Sequence, residues 1–448
     1  MDKLKVSVVG TGYVGLVTAV TLAEKGHPTV CIDIDKGPVE AIMAKKAPFF
    51  EKGLDELVEK NVESGMLKAT MDSSVIPETD VTLICVGTPS LPNGSSNLKY
   101  IKEASATVGW LLRDKKDYHL VGVKSTVPPG TTEGLVLSSL KKGSRKRPGK
   151  DLGLVMIPEF LRQGQAVHDS FHPSRIIIGE YDKNAGEQME ALFSDFVSET
   201  GEPVPVLHTA IKSAELTKYA SNAFLATKIS FANEFARVCE RFNIDVYEVM
   251  KGVGMDFRIN PNFLNAGCGF GGSCFPKDVK AITTMAAGMD VETPLMDAVL
   301  ETNELQPLHL VEIIRDAVGD LEDKVVAVLG LSFKPDTDDT RETRALPIIQ
   351  ELCDEGASVR AYDPQAMEKF RKMTDLPIYY AKSIRDALSG SHLAVIQSDW
   401  QEIRDISPET FKELLRKPMV VDGRRSFDPE TLKKAGVTYR SVGWKNRK

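Results

Sequence analysis

The chain opens on an apolar run, KVSVV at residues 5–9, that reads as a short strand and stops at Gly10. After Thr11-Gly12-Tyr13-Val14-Gly15-Leu16 the apolar spacing turns helical as far as about Lys25, where Gly26-His27 breaks it. Thr29-Val30-Cys31-Ile32 forms a second apolar strand that ends at Asp33. Further strands are expected at 81–86, 120–123 and 154–157, so strand and helix alternate to about residue 200. From 210 to 300 the period is helical. Leu216, Ala220, Ala223, Phe224, Phe231, Phe235, Val238 and Phe242 recur at steps near three or four, which predicts one long helix and a surface for a second copy. A turn-rich stretch, 252–272, follows. At Lys324 the strand pattern restarts with KVVAVLGLSFK, and Asp363 stands 33 residues after Gly330, as Asp33 stands 23 after Gly10. The two ends of the chain are therefore a divergent repeat of one βαβ plan. The expected architecture is α/β: two Rossmann-like, doubly wound parallel-sheet domains (1–203 and 311–448) joined by a helical middle domain (204–310) with a long central helix.

Composition narrows the class. The chain has 448 residues, 42% hydrophobic and 27% charged, which excludes disordered, collagenous and membrane-spanning types. A net charge of −7 argues against a dedicated nucleic-acid binder. The first residues enter a strand directly, without an apolar leader, and the expectation is a cytoplasmic protein. Six cysteines (31, 85, 239, 268, 274, 353) show neither zinc spacing nor a disulfide framework, and no metal is expected. The basic run KKGSRKRPGK at 141–150 reads as a solvated loop, and the pair His168 and His172 as part of a loop rather than a metal site.

Gly10, Gly12 and Gly15 follow a strand, open a helix and precede an acid at the end of the next strand, the context in which this spacing binds a dinucleotide. Gly10 allows the tight turn, Gly12 lets the backbone approach the pyrophosphate and Gly15 allows close packing. Asp33 accepts from ribose hydroxyls and repels a 2′-phosphate, so the cofactor is NAD rather than NADP. The second copy lacks these glycines and is expected to bind a different phosphate-bearing ligand.

The reactive chemistry lies in Gly269-Phe270-Gly271-Gly272-Ser273-Cys274-Phe275-Pro276-Lys277-Asp278. Pro276 suits the first turn of a helix, which puts Cys274 at a helix N-terminus with Lys277 near; both favour the thiolate. Asp278 is four residues on and can share its face. A thiolate beside a nicotinamide suits oxidation of an aldehyde through a thiohemiacetal to a thioester, which water then hydrolyses.

These blocks resemble the UDP-glucose/GDP-mannose dehydrogenase family nearly end to end: GTGYVGL (10–16), VGTP (86–89), KSTVPPG (124–130), PEFLR (158–162), AELTKYASNAFLATKISFANE (214–234), FLNAGCGFGGSCFPKD (263–278), LGLSFKPDTDDTRE (329–342) and DGRR (422–425). The resemblance implies a four-electron oxidation of a sugar C6 alcohol to a carboxylate with two NAD per turnover. UDP-glucose going to UDP-glucuronate for polysaccharide synthesis is the expected case, with GDP-mannose or a UDP-N-acetylhexosamine as the alternative substrate. It implies Cys274 as nucleophile, Lys218 stabilising negative charge on the C6 oxygen, Asp278 handling protons with a water, Thr126 holding that water and Glu159 serving thioester hydrolysis. Asn222, one turn beyond Lys218, completes this set. Cofactor contacts are implied for Gly10, Thr11, Gly12, Tyr13, Val14, Gly15, Asp33, Val86, Gly87, Thr88, Pro89, Ser125, Lys277 and Arg341. Sugar-nucleotide contacts are implied for Phe160, Leu161, Arg162, Lys218, Asn222, Phe263, Leu264, Asn265, Ala266, Gly267, Gly271, Phe333, Lys334 and Arg424. Arg258 is implied to reach the sugar of a neighbouring subunit, so a homodimer or larger homo-oligomer is expected, with the active site in the cleft between domains. On helix spacing alone Lys218 reads as a solvated lysine.

Overall fold

The computed structural model describes residues 3–444, which fall into two compact units, Met1–Ser221 and Asn222–Lys448. In the first, β1 (Val6–Val9) leads through the glycine turn into α1 (Tyr13–Glu24) and back to β2 (Thr29–Ile32). The remaining strands are β3 (Leu67–Thr70), β4 (Val81–Ile84), β5 (His119–Val123), β6 (Leu152–Met156), β7 (Ile176–Glu180) and β8 (Val206–Thr209). They form one sheet in the order β3-β2-β1-β4-β5-β6-β7-β8. The order reverses between β1 and β4, the point where open α/β sheets hold ligands at their carboxyl ends. Strands 1, 4, 5 and 6 are buried nearly throughout, as expected of a sheet covered on both faces. The sheet is parallel but for one pairing, β7 running antiparallel to β6. The chain between them holds only the short helix Ala166–Phe171, too brief to carry it back along the sheet.

The long helix exists as α2 (Ile211–Phe242) and extends across the boundary between the units. Its apolar period, however, marks the outward face. Leu216, Phe224, Phe231, Phe235, Val238 and Phe242 are 38–73% exposed, whereas Ala214, Ala223, Ala226, Ala232 and Ala236 fill the buried side. Small residues let neighbours come close, and the same side carries buried Glu215, Lys218, Asn222 and Asn233. After α2 come α3 (Val246–Gly254), α4 (Phe275–Ala287) and α5 (Pro294–Val318).

The second unit holds β9 (Val325–Leu329), β10 (Ser358–Tyr362), β11 (Ile378–Tyr380), β12 (Leu393–Ile396), β13 (Met419–Asp422) and β14 (Thr438–Ser441). All are parallel, in the order β11-β10-β9-β12-β13-β14. The repeat inferred from sequence holds at atomic detail. Gly10 (φ +97°) donates its N–H to the Ile32 carbonyl at 2.8 Å, and Gly330 (φ +95°) donates to Tyr362 at 2.8 Å. The basic run is only partly a loop. Lys141 and Lys142 lie in the helix Leu137–Ser144, Arg145 ends it, and Arg147 pairs with Asp151. His168 likewise lies on a helix, Ala166–Phe171, rather than in a loop.

A Cβ on Gly330 would sit 2.5 Å from the Ser398 backbone nitrogen, in a backbone conformation that disfavours side chains. Gly330→Ala is expected to cost about 2–4 kcal/mol, read as a lower urea midpoint in the fluorescence of buried Trp400.

Candidate active site

In the first unit the predicted cofactor residues gather at the carboxyl ends of neighbouring parallel strands. Asp33, after β2, accepts from the Thr11 N–H and hydroxyl, each at 2.6 Å, and from the Asp35 N–H at 3.0 Å. It stays half exposed, and a carboxylate has capacity for further donors. Gly15 is required by packing, since a Cβ there would lie 1.8 Å from the Gly10 oxygen. At Gly12 and Gly87 a Cβ would meet nothing within 4 Å. Gly12 precedes α1, and no side chain caps that helix. A helix N-terminus that is open over a glycine suits a pyrophosphate, so these residues fit NAD. Tyr13 is half-buried with its hydroxyl on Glu51, and Val14 is half-buried beside it. The two following loops are tied together. Thr88 donates to the Thr126 carbonyl at 2.7 Å, and Ser125 to the Val86 carbonyl at 2.7 Å. Pro89 accepts the Asn97 N–H.

Lys218 is not a solvated lysine. It is 4% exposed on α2, and its ammonium lies 3.0 Å from Glu159 Oε1; Glu159 is itself 7% exposed. Glu159 Oε2 accepts the Leu161 N–H at 2.6 Å. Burial raises the Glu159 pKa, but the Lys218 charge and hydrogen bond, the Leu161 amide and Lys124 together hold it below the ordinary carboxylate range. The Phe160 ring lies 3.9 Å from the Arg175 guanidinium and 5.4 Å from the Lys218 ammonium. Arg162 is exposed and paired with Asp169 at 2.6 Å.

In the second unit Cys274 occupies the N-cap of α4, with Pro276 in the first turn. The residue is partly exposed, unlike Cys31, Cys85, Cys239 and Cys268. Burial pushes the Cys85 thiol up to about 12 and the Cys268 thiol to about 11, so these stay protonated. Ser273 Oγ lies 3.7 Å from the Cys274 sulfur, and Arg341 lies close enough to interact with it electrostatically. The loop before Cys274 is wedged in place. A Cβ on Gly271 would come within 2.3 Å of the Glu342 oxygen, and one on Gly272 within 2.8 Å of the Phe333 ring. Asp278 is buried, accepts Asn222 Nδ2 at 2.6 Å and the Lys277 ammonium, and donates its N–H to the Cys274 carbonyl at 2.8 Å.

Along the preceding segment Phe263 (φ +66°) is half-buried and Asn265 exposed, while Leu264, Ala266 and Gly267 point inward. Lys334 lies over the Phe333 ring at 5.8 Å. Arg424 donates to the carbonyls of Gln397 at 2.7 Å, Gly269 at 3.3 Å and Phe333 at 3.4 Å, so it fastens the cysteine loop to the ends of β9 and β12. Arg258 stands apart, its side chain 76% exposed and paired with Asp256, in a loop held by Lys228 through the Ile259 and Asn260 carbonyls. Sequence reasoning missed three groups. Asn303 holds Phe270 through both its N–H and C=O at 2.7 and 3.0 Å, and Asn233 holds the Gly267 N–H at 2.7 Å. Lys124 is buried near Glu159, and burial pulls its pKa down. No local pattern marks Asn303, whose partner is more than thirty residues away; Asn233 and Lys124 lie inside the family-like stretches 214–234 and 124–130, where the resemblance implies no task for either.

Three family models cover the chain: the NAD binding domain of the UDP-glucose/GDP-mannose dehydrogenase family at residues 4–197, its central domain at 212–305 and its UDP binding domain at 327–429. The chain is 42% identical over 439 residues to UDP-glucose 6-dehydrogenase AglM of Haloferax volcanii, covering 98% of this chain and 100% of that protein. It is 41% identical over 440 residues to UDP-glucose 6-dehydrogenase TuaD of Bacillus subtilis, covering 98% and 93%. A solved UDP-glucose dehydrogenase from Pyrobaculum islandicum superposes with a TM-score of 0.89 at 38% identity, over 99% of this chain and 98% of that one. The UDP-D-ManNAc dehydrogenase of Pyrococcus horikoshii superposes with a TM-score of 0.84 at 27% identity, over 98% and 99%. Fold, glycine turn and these matches define an NAD-dependent dehydrogenase. The chain belongs to the UDP-glucose/GDP-mannose dehydrogenase family.

The buried Lys218–Glu159 pair carries a testable pH signature. Removing one charge strands the other, so Glu159→Gln is expected to cost about 3 kcal/mol at neutral pH. The lowered folded-state pKa makes this contribution complete above the unfolded value and lost as pH falls through the folded one. The gap in urea midpoint between parent and variant should therefore be full at pH 7 and begin to narrow only as pH falls below about 4.

Proposed function

We propose that the enzyme converts UDP-glucose to UDP-glucuronate, a four-electron oxidation at C6. The observation that carries this reading is a partly exposed cysteine at the N-cap of α4, with the buried Asp278–Asn222 pair one turn on. A two-electron alcohol dehydrogenase has no use for that sulfur. The residues at the ends of β1, β2 and β4 would hold NAD, which would supply the acceptor for one hydride in each of the two oxidations. Lys218 stabilises negative charge on the C6 oxygen as the alcohol loses its proton. Asp278, acting with a water held by Thr126, takes that proton. Once C6 has also given up its first hydride, the Cys274 thiolate bonds to the carbon of the resulting aldehyde, giving a thiohemiacetal, and departure of the second hydride leaves a thioester. Water aided by Glu159 attacks that carbonyl, the S–C bond breaks, and carboxylate and free thiol result. Asn222 fixes Asp278. The nucleotide is held by Phe160–Arg162, Phe263–Gly267, Gly271, Phe333, Lys334 and Arg424, with Arg341 and Lys277 serving the cofactor.

Identity near 40% to two proteins named UDP-glucose 6-dehydrogenase supports the glucose substrate. The similarity to a UDP-D-ManNAc dehydrogenase keeps an N-acetylhexosamine as the second reading. The three-part division of NAD, central and UDP-binding regions (1–203, 204–310, 311–448) fits this chemistry. The test is NADH absorbance: two NADH per UDP-glucose, with Cys274→Ala reducing turnover by at least about 10³-fold. No response to UDP-glucose alongside turnover of another sugar nucleotide would overturn the substrate.

The apolar outward face of α2 is further proposed to pair with a second copy, leaving Arg258 to serve the partner's sugar site. Among the described residues no helix is long and apolar enough to cross a membrane, in keeping with a cytoplasmic enzyme. Size-exclusion chromatography with light scattering should give at least twice the chain mass for the parent, and the monomer for Phe231→Asp/Phe235→Asp.

A further inference from the structure

The mechanism above gives Glu51 no task. It lies between the second and third strands in sequence and is only 6% exposed. Oε2 accepts the Tyr13 phenol and the Gly164 N–H, the latter at 2.7 Å, and Oε1 accepts the Ala166 N–H at 2.7 Å. Gly164 also donates to the Tyr13 oxygen at 3.2 Å, and its φ of +79° suits only glycine readily. Three donors converge on one side chain, which requires a group that only accepts. Tyr13 belongs to the glycine turn, and its ring rests on Phe49 at 5.2 Å. Burial and the Glu51 charge push the phenol pKa far up, so it remains a donor at any working pH. On the other side, the segment hung from Glu51 runs back through Arg162, gripped by Asp169, to Leu161, gripped by Glu159. One buried carboxylate thus joins the start of α1 to the strip that carries Glu159, Phe160 and Arg162.

We propose that Glu51 is a positioning residue that transmits cofactor binding at the glycine turn to residues 159–166. The inference rests on the reading above that NAD binds at that turn. Docking of an anion on the first turn of α1 fixes Tyr13; Tyr13 fixes Glu51; Glu51 fixes the two amides that end the sugar-nucleotide strip. The order of these contacts makes the strip better ordered with cofactor than without it.

The experiment is amide hydrogen exchange on the full chain, with and without NADH, for the parent, Glu51→Gln and Tyr13→Phe. In the parent, NADH should slow exchange at 10–16 and, by about tenfold, at Gly164 and Ala166. In both variants the slowing at 10–16 should persist, while that at Gly164 and Ala166 falls below about twofold. Tyr13→Phe leaves both amides on Glu51, so it stands as the test if Glu51→Gln does not fold. A purely architectural role would loosen 160–166 equally with and without NADH, and that result overturns the proposal. So does protection in the parent confined to 10–16, or protection at 164 and 166 that survives both substitutions. Absence of any NADH effect at 10–16 in the parent would instead sink the cofactor assignment itself, and this inference with it.

Discussion

The structure is organised around a carboxylate at the end of a second strand, turned back onto the amides of the turn that ends the first. Asp33 does this for Thr11. Asp363 does it for Leu331 at 2.7 Å and Ser332 at 3.0 Å. The bond fixes where α1 begins and therefore where its open amides point. The surroundings set what each copy can bind. Asp33 keeps a half-exposed rim, with Ile34 86% exposed next to it. Asp363 is 1% exposed and also takes the Trp400 indole N–H and the amides of Gln365 and Ala366. A carboxylate so fully engaged has no capacity for a ribose, which is the physical content of the difference between the two halves.

Much of this was legible in the chain. The strand, glycine turn, helix, strand and acid of the first unit follow from short-range patterns, and their boundaries fall within a residue or two. The position of Cys274 before a proline sufficed to place it at a helix start. What resisted reading depends on long-range burial. The apolar stripe of α2 marks the helix but not its core side, which is built from alanines that no stripe in the sequence picks out. Lys218 looks solvated until Glu159 arrives from the loop after β6 to balance it. Arg424 reads as a ligand contact, and nothing in its own stretch shows that its guanidinium also ties three carbonyls of the fold together. Glu51 sits in a loop just after Phe49 and Phe50 with nothing nearby to mark it, because its partners come from the glycine turn and from beyond β6.

The two units divide the electrostatic labour. The first keeps Lys218 and Glu159 buried side by side, with the buried Lys124 acting on the same carboxylate. The second keeps its sulfur at the edge of solvent, at the positive end of a helix and within reach of Arg341. Four of the other five thiols are buried, and burial keeps them protonated.

The internal duplication also works as a natural control experiment on the glycines. Gly330 has kept the left-handed turn of Gly10, since in both copies backbone stands against the missing side chain. The counterpart of Gly12 is Ser332, whose hydroxyl folds in upon Asp363 at 3.0 Å. One glycine answers to the polypeptide and the other to a visiting molecule, and only the second could be surrendered when that visitor was no longer served.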